Sequence, residues 1–289
     1  YTLADESIEA PPACPGVYRF LDQNDQVLYV GKSINIRNRV RSHLAESSQT
    51  NRQRRLLHAT RRIDSEPTAG EAGALLLENA AIKQQVPVFN RRQRAVRRMW
   101  SIVLEPDDAG SLRPVLSCFT LDNPDIRSAY GHYASRFAAR KALDTLARSE
   151  ALCPIVLGLE SGKGPCFQRQ IGRCRGVCEG KESLAGHSAR LQQALASRQL
   201  SAWPSTEPLV LRERAAEPLS SQPAEQWHLL HNWMYLGTYP SLEAARCERQ
   251  DNTFMFDRDT HRILRGILRQ GNLGLYRLDS ADAVTWPEG

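Results

Sequence analysis

The sequence predicts an α+β protein: a small antiparallel sheet flanked by helices, a cysteine-rich middle segment and a smaller α+β module at the end. Three observations point there. Two short β-prone runs, 16–21 and 27–30, are separated by Asp22-Gln23-Asn24-Asp25, residues that favour a turn, so the pair reads as a hairpin. A helix follows at once, because Ile36, Val40 and Leu44 recur every four residues. Four of the seven cysteines, Cys153, Cys166, Cys174 and Cys178, then fall within 26 positions in the middle of the chain.

Taken in order, the hairpin alternates Val17, Arg19 and Leu21 with Tyr18 and Phe20, and it sets Tyr18 and Tyr29 across from each other, so that two phenols share a pocket. Gly31 suits a close backbone approach, and Ser33 is a suitable N-cap. Asn35, Arg39 and His43 repeat the spacing of the apolar stripe one position back and line up on a second, polar face. The polar gap between Leu44 and Leu56 is expected to be a flexible loop. Thr68-Ala69-Gly70-Glu71 reads as a capping box opening a helix through Leu75, Leu76, Glu78 and Ile82.

Further on, strands are expected at 100–104 and 115–121. An amphipathic helix at 135–150 should bury Phe137, Leu143 and Leu146, and a helix at 181–198 should turn Leu184, Leu191 and Leu195 inward. Strand-like runs at 209–211, 227–236 and 273–278, with a helix capped by Ser241, make up the last third. Asp257, Asp259 and His261 are spaced like metal ligands but read better as solvated acids in a turn between strands. The expected domains are 1–98, 99–202 and 203–289, the last a candidate partner-binding module.

The chain carries a net charge of +6, and its position matters. The first 100 residues hold 16 Lys plus Arg against 10 Asp plus Glu, whereas the remaining 189 hold 22 of each. Arg37, Arg39 and Arg41 lie on the first helix, Arg52, Arg54, Arg55, Arg61 and Arg62 follow, and Arg91, Arg92, Arg94, Arg97 and Arg98 close the segment. Such clustering suits a phosphate backbone through Coulomb attraction and counterion release, with a solvated basic linker as the alternative for the last group. No apolar run approaches a membrane span and no secretory signal pattern opens the chain, so a cytoplasmic location is expected.

In such a chain four gathered thiols point to a metal site rather than to disulfides. Successive cysteines are separated by twelve, seven and three residues, so only Cys174 and Cys178 have the short gap that zinc ribbons favour. One short gap with two long ones is compatible with an iron–sulfur cluster. Zinc remains the alternative. Cys14, Cys118 and Cys247 stand alone and read as buried or partly buried thiols.

Gly16-Val17-Tyr18, Tyr29-Val30-Gly31, Lys32, Arg39, His43, Glu78 and Asn90 together resemble a GIY-YIG endonuclease domain, with valine at both isoleucine positions. The stretch GALLLENAAIKQQVPVFN is similar to UvrC, a bacterial nucleotide excision repair nuclease, and to its short Cho branch; CFQRQIGRCRGVC resembles their cysteine-rich stretch. The resemblance implies Glu78 as ligand of one Mg²⁺ or Mn²⁺, Asn90 as a supporting asparagine and Cys153, Cys166, Cys174 and Cys178 as holders of a 4Fe–4S cluster. It implies damaged double-stranded DNA as substrate, cut once 3′ of the lesion and presented by UvrB after loading by UvrA. DNA contact is expected from Arg37, Arg41, Arg54, Arg55, Arg91, Arg92 and Arg94.

Hydrolysis of a phosphodiester needs a base, and Tyr29, Tyr18 and His43 remain candidates. A free tyrosine ionises near ~10 and needs a nearby cation, Lys32 or the metal, to lower that value, whereas a histidine titrates near ~6.5. Arg39 would stabilise charge on the phosphate. The alternatives are a GIY-YIG nuclease of recombination or restriction and a non-catalytic iron–sulfur module that binds DNA or senses redox state. The second RNase H-like domain and helix-hairpin-helix motifs of long UvrC proteins are not recognisable here, which is the arrangement of the Cho branch.

Overall fold

The computed structural model describes residues 10–45, 50–90, 99–107, 111–119, 129–162, 164–200, 203, 205–247 and 257–286. Two compact units emerge: Tyr1–Val96 with Pro204–Glu288, and Arg97–Trp203.

In the first unit, β1 (Gly16–Leu21) and β2 (Val27–Ser33) form the expected antiparallel hairpin. Its turn is fixed by Asp22, whose carboxylate accepts from the Asn24 and Gln26 amides at 2.8 and 2.9 Å. Tyr29 pairs with Phe20 and Tyr18 with Gly31, so the two tyrosines are diagonal rather than direct neighbours. Helix α1 (Ile36–Ala45) is capped by Asn35, not Ser33: Asn35 Oδ1 accepts from the Asn38 amide at 3.0 Å, while Ser33 Oγ accepts from the Asn35 amide. The last part of the loop expected before Leu56 is instead the start of helix α2 (Asn51–Ala59), because Thr50 caps it by accepting from the Gln53 amide at 3.2 Å.

Strand β3 (Arg62–Pro67) pairs with β1 and completes the order β2-β1-β3. The sequence does not announce it, since Arg62-Ile63-Asp64-Ser65-Glu66-Pro67 has one large apolar residue and only the backbone ladder makes it a strand. Helix α3 (Glu71–Gln85) starts without the predicted capping box: Gly70 is its N-cap, and Thr68 Oγ1 donates to the Gly70 carbonyl at 2.7 Å. Tyr18, Phe20, Leu28, Ile36, Val40, Leu56 and Ile63 make one core cluster, and Val17, Val30, Ala81 and Ile82 another. The two-residue period of the sheet thus gives α1 and α2 one face and α3 the other.

The second unit has β4 (Met99–Pro106), β5 (Leu112–Phe119) and β6 (Ala129–Tyr133) in the antiparallel order β5-β4-β6. Helix α4 (Arg136–Ser149) is capped by Ser135. A short helix α5 (Phe167–Gln170) and a 3₁₀ turn (Val177–Glu179) precede α6 (Leu184–Ala196). Ile102, Leu143, Leu146, Leu191 and Leu195 pack together. Phe137 and Leu184, expected inside, are exposed at the first turns of their helices, beyond the packed face.

The remaining segment of the first unit forms β7 (Leu209–Arg214), β8 (Glu225–His231), β9 (Met234–Tyr239), α7 (Leu242–Cys247), α8 (Arg258–Gln270) and β10 (Gly274–Arg277), with sheet order β10-β7-β8-β9. The run expected at 227–236 is a hairpin whose turn residues Asn232 and Trp233 take φ of 45° and 63°. Helix α8 is an addition to the expected elements; Leu264, Ile267 and Leu268 bury one face of it. Asp257 caps this helix, so it is not a solvated acid between strands; it and Asp259 are buried, with Lys83 of α3 at 2.6 and 3.3 Å. No helix among the described residues is long and apolar enough to cross a membrane.

Candidate active site

Four rings nest on the α1 side of the hairpin. The Tyr18 hydroxyl shares a hydrogen bond of 2.9 Å with His43 Nε2, and the His43 ring lies 5.6 Å from Phe20 and 5.5 Å from Tyr29. His43 is therefore buried beneath the tyrosines rather than standing on a polar helix face. Tyr18 and Tyr29 are 6.1 Å apart between ring centres. The strand pairing sets Gly31 against Tyr18, where a Cβ would collide with the phenol. This motif glycine is required by the tyrosine across from it.

Glu78 approaches from α3, and its Oε1 accepts from the Lys32 amide at 3.1 Å. Burial raises its carboxyl above the usual range, more than the Lys32 amide and the charges of Lys32 and Arg39 lower it. Burial also pushes up the Tyr29 phenol; Glu78 adds to the rise, while the Tyr18 hydrogen bond, Arg39 and Arg52 oppose it. Tyr18 is raised by burial and by Tyr29 against the pull of Arg39. An exposed Arg39 guanidinium thus acts on Tyr18, Tyr29 and Glu78 together. The Lys32 ammonium is turned to Glu71 at 2.6 Å.

Asn90 works through the backbone. Its Oδ1 accepts from the Val30 amide and its Nδ2 donates to the Val30 carbonyl, both at 2.8 Å, so its side chain completes the outer edge of β2 between Tyr29 and Gly31. Beside the rings a cavity of about 360 Å³ is lined by Tyr29, His43, Thr50, Arg52, Gln53, Leu56 and Phe89. Arg52 belongs to the arginine cluster, but its place at this cavity does not follow from the clustering; the Thr50-to-Gln53 cap is the local signal for it.

Of the arginines expected on DNA, Arg41, Arg54 and Arg55 are exposed, and Arg37 donates to the Pro11 carbonyl at 2.8 Å. Arg91, Arg92 and Arg94 lie outside the described residues.

In the second unit the sulfurs of Cys153, Cys166, Cys174 and Cys178 all lie within 4.8 Å of one another. The Gly176 and Cys166 amides point at the Cys174 and Cys178 sulfurs at 3.4 and 3.5 Å. Burial raises Cys153 and Cys166. For Cys178 hydrogen bonds from the Cys166 amide and the other thiols outweigh burial and lower it. Four such thiols become thiolates together only around a cation, which this donor set fits. His187, fully buried, accepts from the Cys153 amide at 3.0 Å. Cys14 is buried and Cys118 half-buried as expected, while Cys247 is exposed.

Residues 14–91 match the UvrC-like GIY-YIG domain, 107–197 the middle domain of the UvrC/Cho excinucleases and 208–282 the excinuclease Cho C-terminal domain. Excinuclease cho of Escherichia coli K12 is 38% identical over 274 residues, 94% of this chain and 88% of that protein. UvrABC system protein C of Caulobacter vibrioides is 34% identical over 66% of this chain and 30% of its own length. The magnesium-bound GIY-YIG N-terminal endonuclease domain of UvrC from Thermotoga maritima is 32% identical over 27% of this chain and 85% of that domain, with a TM-score of 0.26.

Proposed function

We propose, because this chain belongs to the UvrC/Cho excinuclease family, that it incises damaged double-stranded DNA once, 3′ of the lesion, on substrate that UvrA has loaded and UvrB presents. The chain is a metal-dependent GIY-YIG endonuclease. The observation that carries the reading is the proximity of Tyr29, Arg39 and Glu78 beside β2.

Glu78 is the proposed ligand of one Mg²⁺ or Mn²⁺. Among the described residues its one hydrogen bond is to Oε1, and a single carboxylate completed by waters and a substrate phosphate is a donor set hard cations accept. Bound there, the ion would neutralise charge on the phosphate and lower the pKa of nearby hydroxyls. As the phenolate, which burial alone disfavours and such an ion would favour, Tyr29 would take the proton of the attacking water. Arg39 stabilises the charge growing on the phosphate oxygens. Tyr18 holds His43 and is itself raised, so its proposed part is to orient water and the Tyr29 ring. Asn90 keeps the β2 edge, and with it Tyr29, in place. Lys32 contributes its amide to Glu78, and its ammonium is positioned through Glu71. Arg37, Arg41, Arg54, Arg55, Arg91, Arg92 and Arg94 are proposed to meet the DNA backbone.

Cys153, Cys166, Cys174 and Cys178 are proposed to hold a metal centre. A 4Fe–4S cluster follows from the family resemblance. The sulfurs all lie within 4.8 Å of one another, a bound that admits the ~3.8 Å separation of ligands around one tetrahedral ion with bonds of about 2.3 Å, so zinc is the competing occupant. Brown protein absorbing near ~400 nm after anaerobic purification would establish iron, and a colourless zinc-loaded preparation would remove it.

The deciding assay is nicking of an end-labelled duplex with one bulky adduct, in Mg²⁺, with and without UvrA and UvrB, against Glu78→Gln. A Glu78-dependent cut only 3′ of the adduct, and only with both loading proteins, is expected. Loading-independent cutting of undamaged or branched DNA would replace excision repair by a structure-specific or restriction-type role.

A further inference from the structure

Helix α3 begins with no side-chain cap of its own, yet its first amides are not idle. The Ala72 amide donates to Glu213 Oε1 at 2.8 Å and the Gly73 amide to Glu213 Oε2 at 2.9 Å, across 141 and 140 residues of sequence. Glu213 stands on β7, is 4% exposed, and also meets His228 Nε2 at 3.2 Å; His228 is fully buried and is fixed through Nδ1 by Thr238 at 2.8 Å. Burial works against ionising Glu213, but the His228, Gly73 and Ala72 hydrogen bonds outweigh it and keep the carboxyl below its usual range. The glycines are part of the fit: a Cβ on Gly73 would lie 2.9 Å from His228 Cε1, and one on Gly70 would lie 2.7 Å from Glu213 Cδ.

The same C-terminal segment holds the helix further along. Gln226 accepts from the Ala69 amide at 2.9 Å, Asn79 donates to Thr260 at 2.9 Å, and Lys83 reaches Asp257 and Asp259. Glu78 lies between these grips, next to Asn79 and six residues, about 9 Å, beyond Ala72. A serine or aspartate at position 70 would stabilise the helix locally. It would not tie the helix to anything else. A two-oxygen grip from another sheet fixes both the axial position and the rotation of the helix that carries Glu78.

We propose that Glu213 is a positioning residue of the nuclease site, a cap supplied by the C-terminal sheet that sets where α3 presents Glu78 to the cation. This rests on Glu78 as the metal ligand. The C-terminal module is then a working part of the active site, not only a surface for partners.

Direct Mn²⁺ binding, followed by electron paramagnetic resonance on the full chain beside thermal melting, tests this without DNA. Wild type and Glu78→Gln define the site-specific signal. Glu213→Ala is expected to weaken that binding by on the order of tenfold, the scale of one lost charge-assisted hydrogen bond, and to lower the melting temperature. The extended backbone of Gly70 accepts a side chain once Glu213 is truncated, so Gly70→Asp/Glu213→Ala restores a local cap. It is expected to recover melting temperature but not Mn²⁺ affinity. Recovery of both, or a Glu213→Ala protein that melts lower yet binds Mn²⁺ as wild type does, would reduce Glu213 to a stabilising contact. If Glu213→Ala does not fold, Glu213→Gln, which keeps the shape and one acceptor, is held to the same criterion. Absence of any Glu78-dependent Mn²⁺ signal in wild type would overturn the assignment of Glu78 itself, and this proposal with it.

Discussion

Replacing Gly31 by alanine tests the nest of rings at its tightest point. The added Cβ would lie 2.5 Å from Tyr18 Cζ and 2.9 Å from Tyr29 Cε1, so the Tyr18 ring must retreat by about 1 Å to reach ordinary contact. Overpacking of this kind costs about 1–3 kcal/mol. Displacing Tyr18 also stretches its 2.9 Å hydrogen bond to buried His43, worth about 1 kcal/mol more. The sum, about 2–4 kcal/mol, corresponds to a fall in melting temperature of roughly 4–15 °C for a unit of this size. A shift of about 1 Å in a reacting constellation costs on the order of 100-fold in rate. Circular dichroism melting and single-turnover nicking of the adduct duplex, run well below the transition, read the two effects separately. Tyr18→Phe, which loses the hydroxyl but not the ring, should show the smaller stability loss. A Gly31→Ala protein with wild-type melting and a rate within twofold of wild type would refute the packing argument.

Other expectations concern charge, the strand edge and the thiols. Because the folded carboxyl of Glu78 is raised, metal binding and nicking should fall as pH drops through a value above the ordinary ~4.3. In metal-free protein Glu78→Gln should be the more stable form at neutral pH and lose that advantage in acid. Glu213 has the opposite sign: its lowered carboxyl contributes stability that is full above ~4.3 and lost as pH falls through the folded value, so urea midpoints of Glu213→Gln should be flatter there. Asn90→Ala leaves both backbone groups of buried Val30 without their partner, which should remove about 2–3 kcal/mol in urea unfolding and depress nicking. Asn90→Asp, retaining only the acceptor, should fall between. Cys174→Ser should empty the second unit of metal by elemental analysis, whereas Cys247→Ser, exposed and apart, should not.

Features written within a few residues are legible in the sequence. Asp22 turns the hairpin, Ser135 caps α4, and the four-residue spacing of Ile36, Val40 and Leu44 specifies α1, because the hydrogen bonds involved close over short stretches of chain. The features that depart from expectation are of two kinds. Some do carry a local signal, such as the Thr50 cap of α2 and the apolar stripe of α8, though polar surroundings dilute it. Others have none: β3 is a strand because β1 offers it a ladder, and His43 is buried because three aromatic rings converge on it.

The hairpin, the helix carrying Arg39 and His43, the helix carrying Glu78 and the gathering of four cysteines are thus written in the order of residues. Only packing brings the Asn90 amide to the edge of β2, Lys83 to Asp257 and Asp259, and Glu213 to the start of α3. In each case a polar group withdrawn from water must find its partner in a segment tens to more than a hundred residues away. No local period or capping pattern records which segment that is; the partner is set by how the sheets and helices pack.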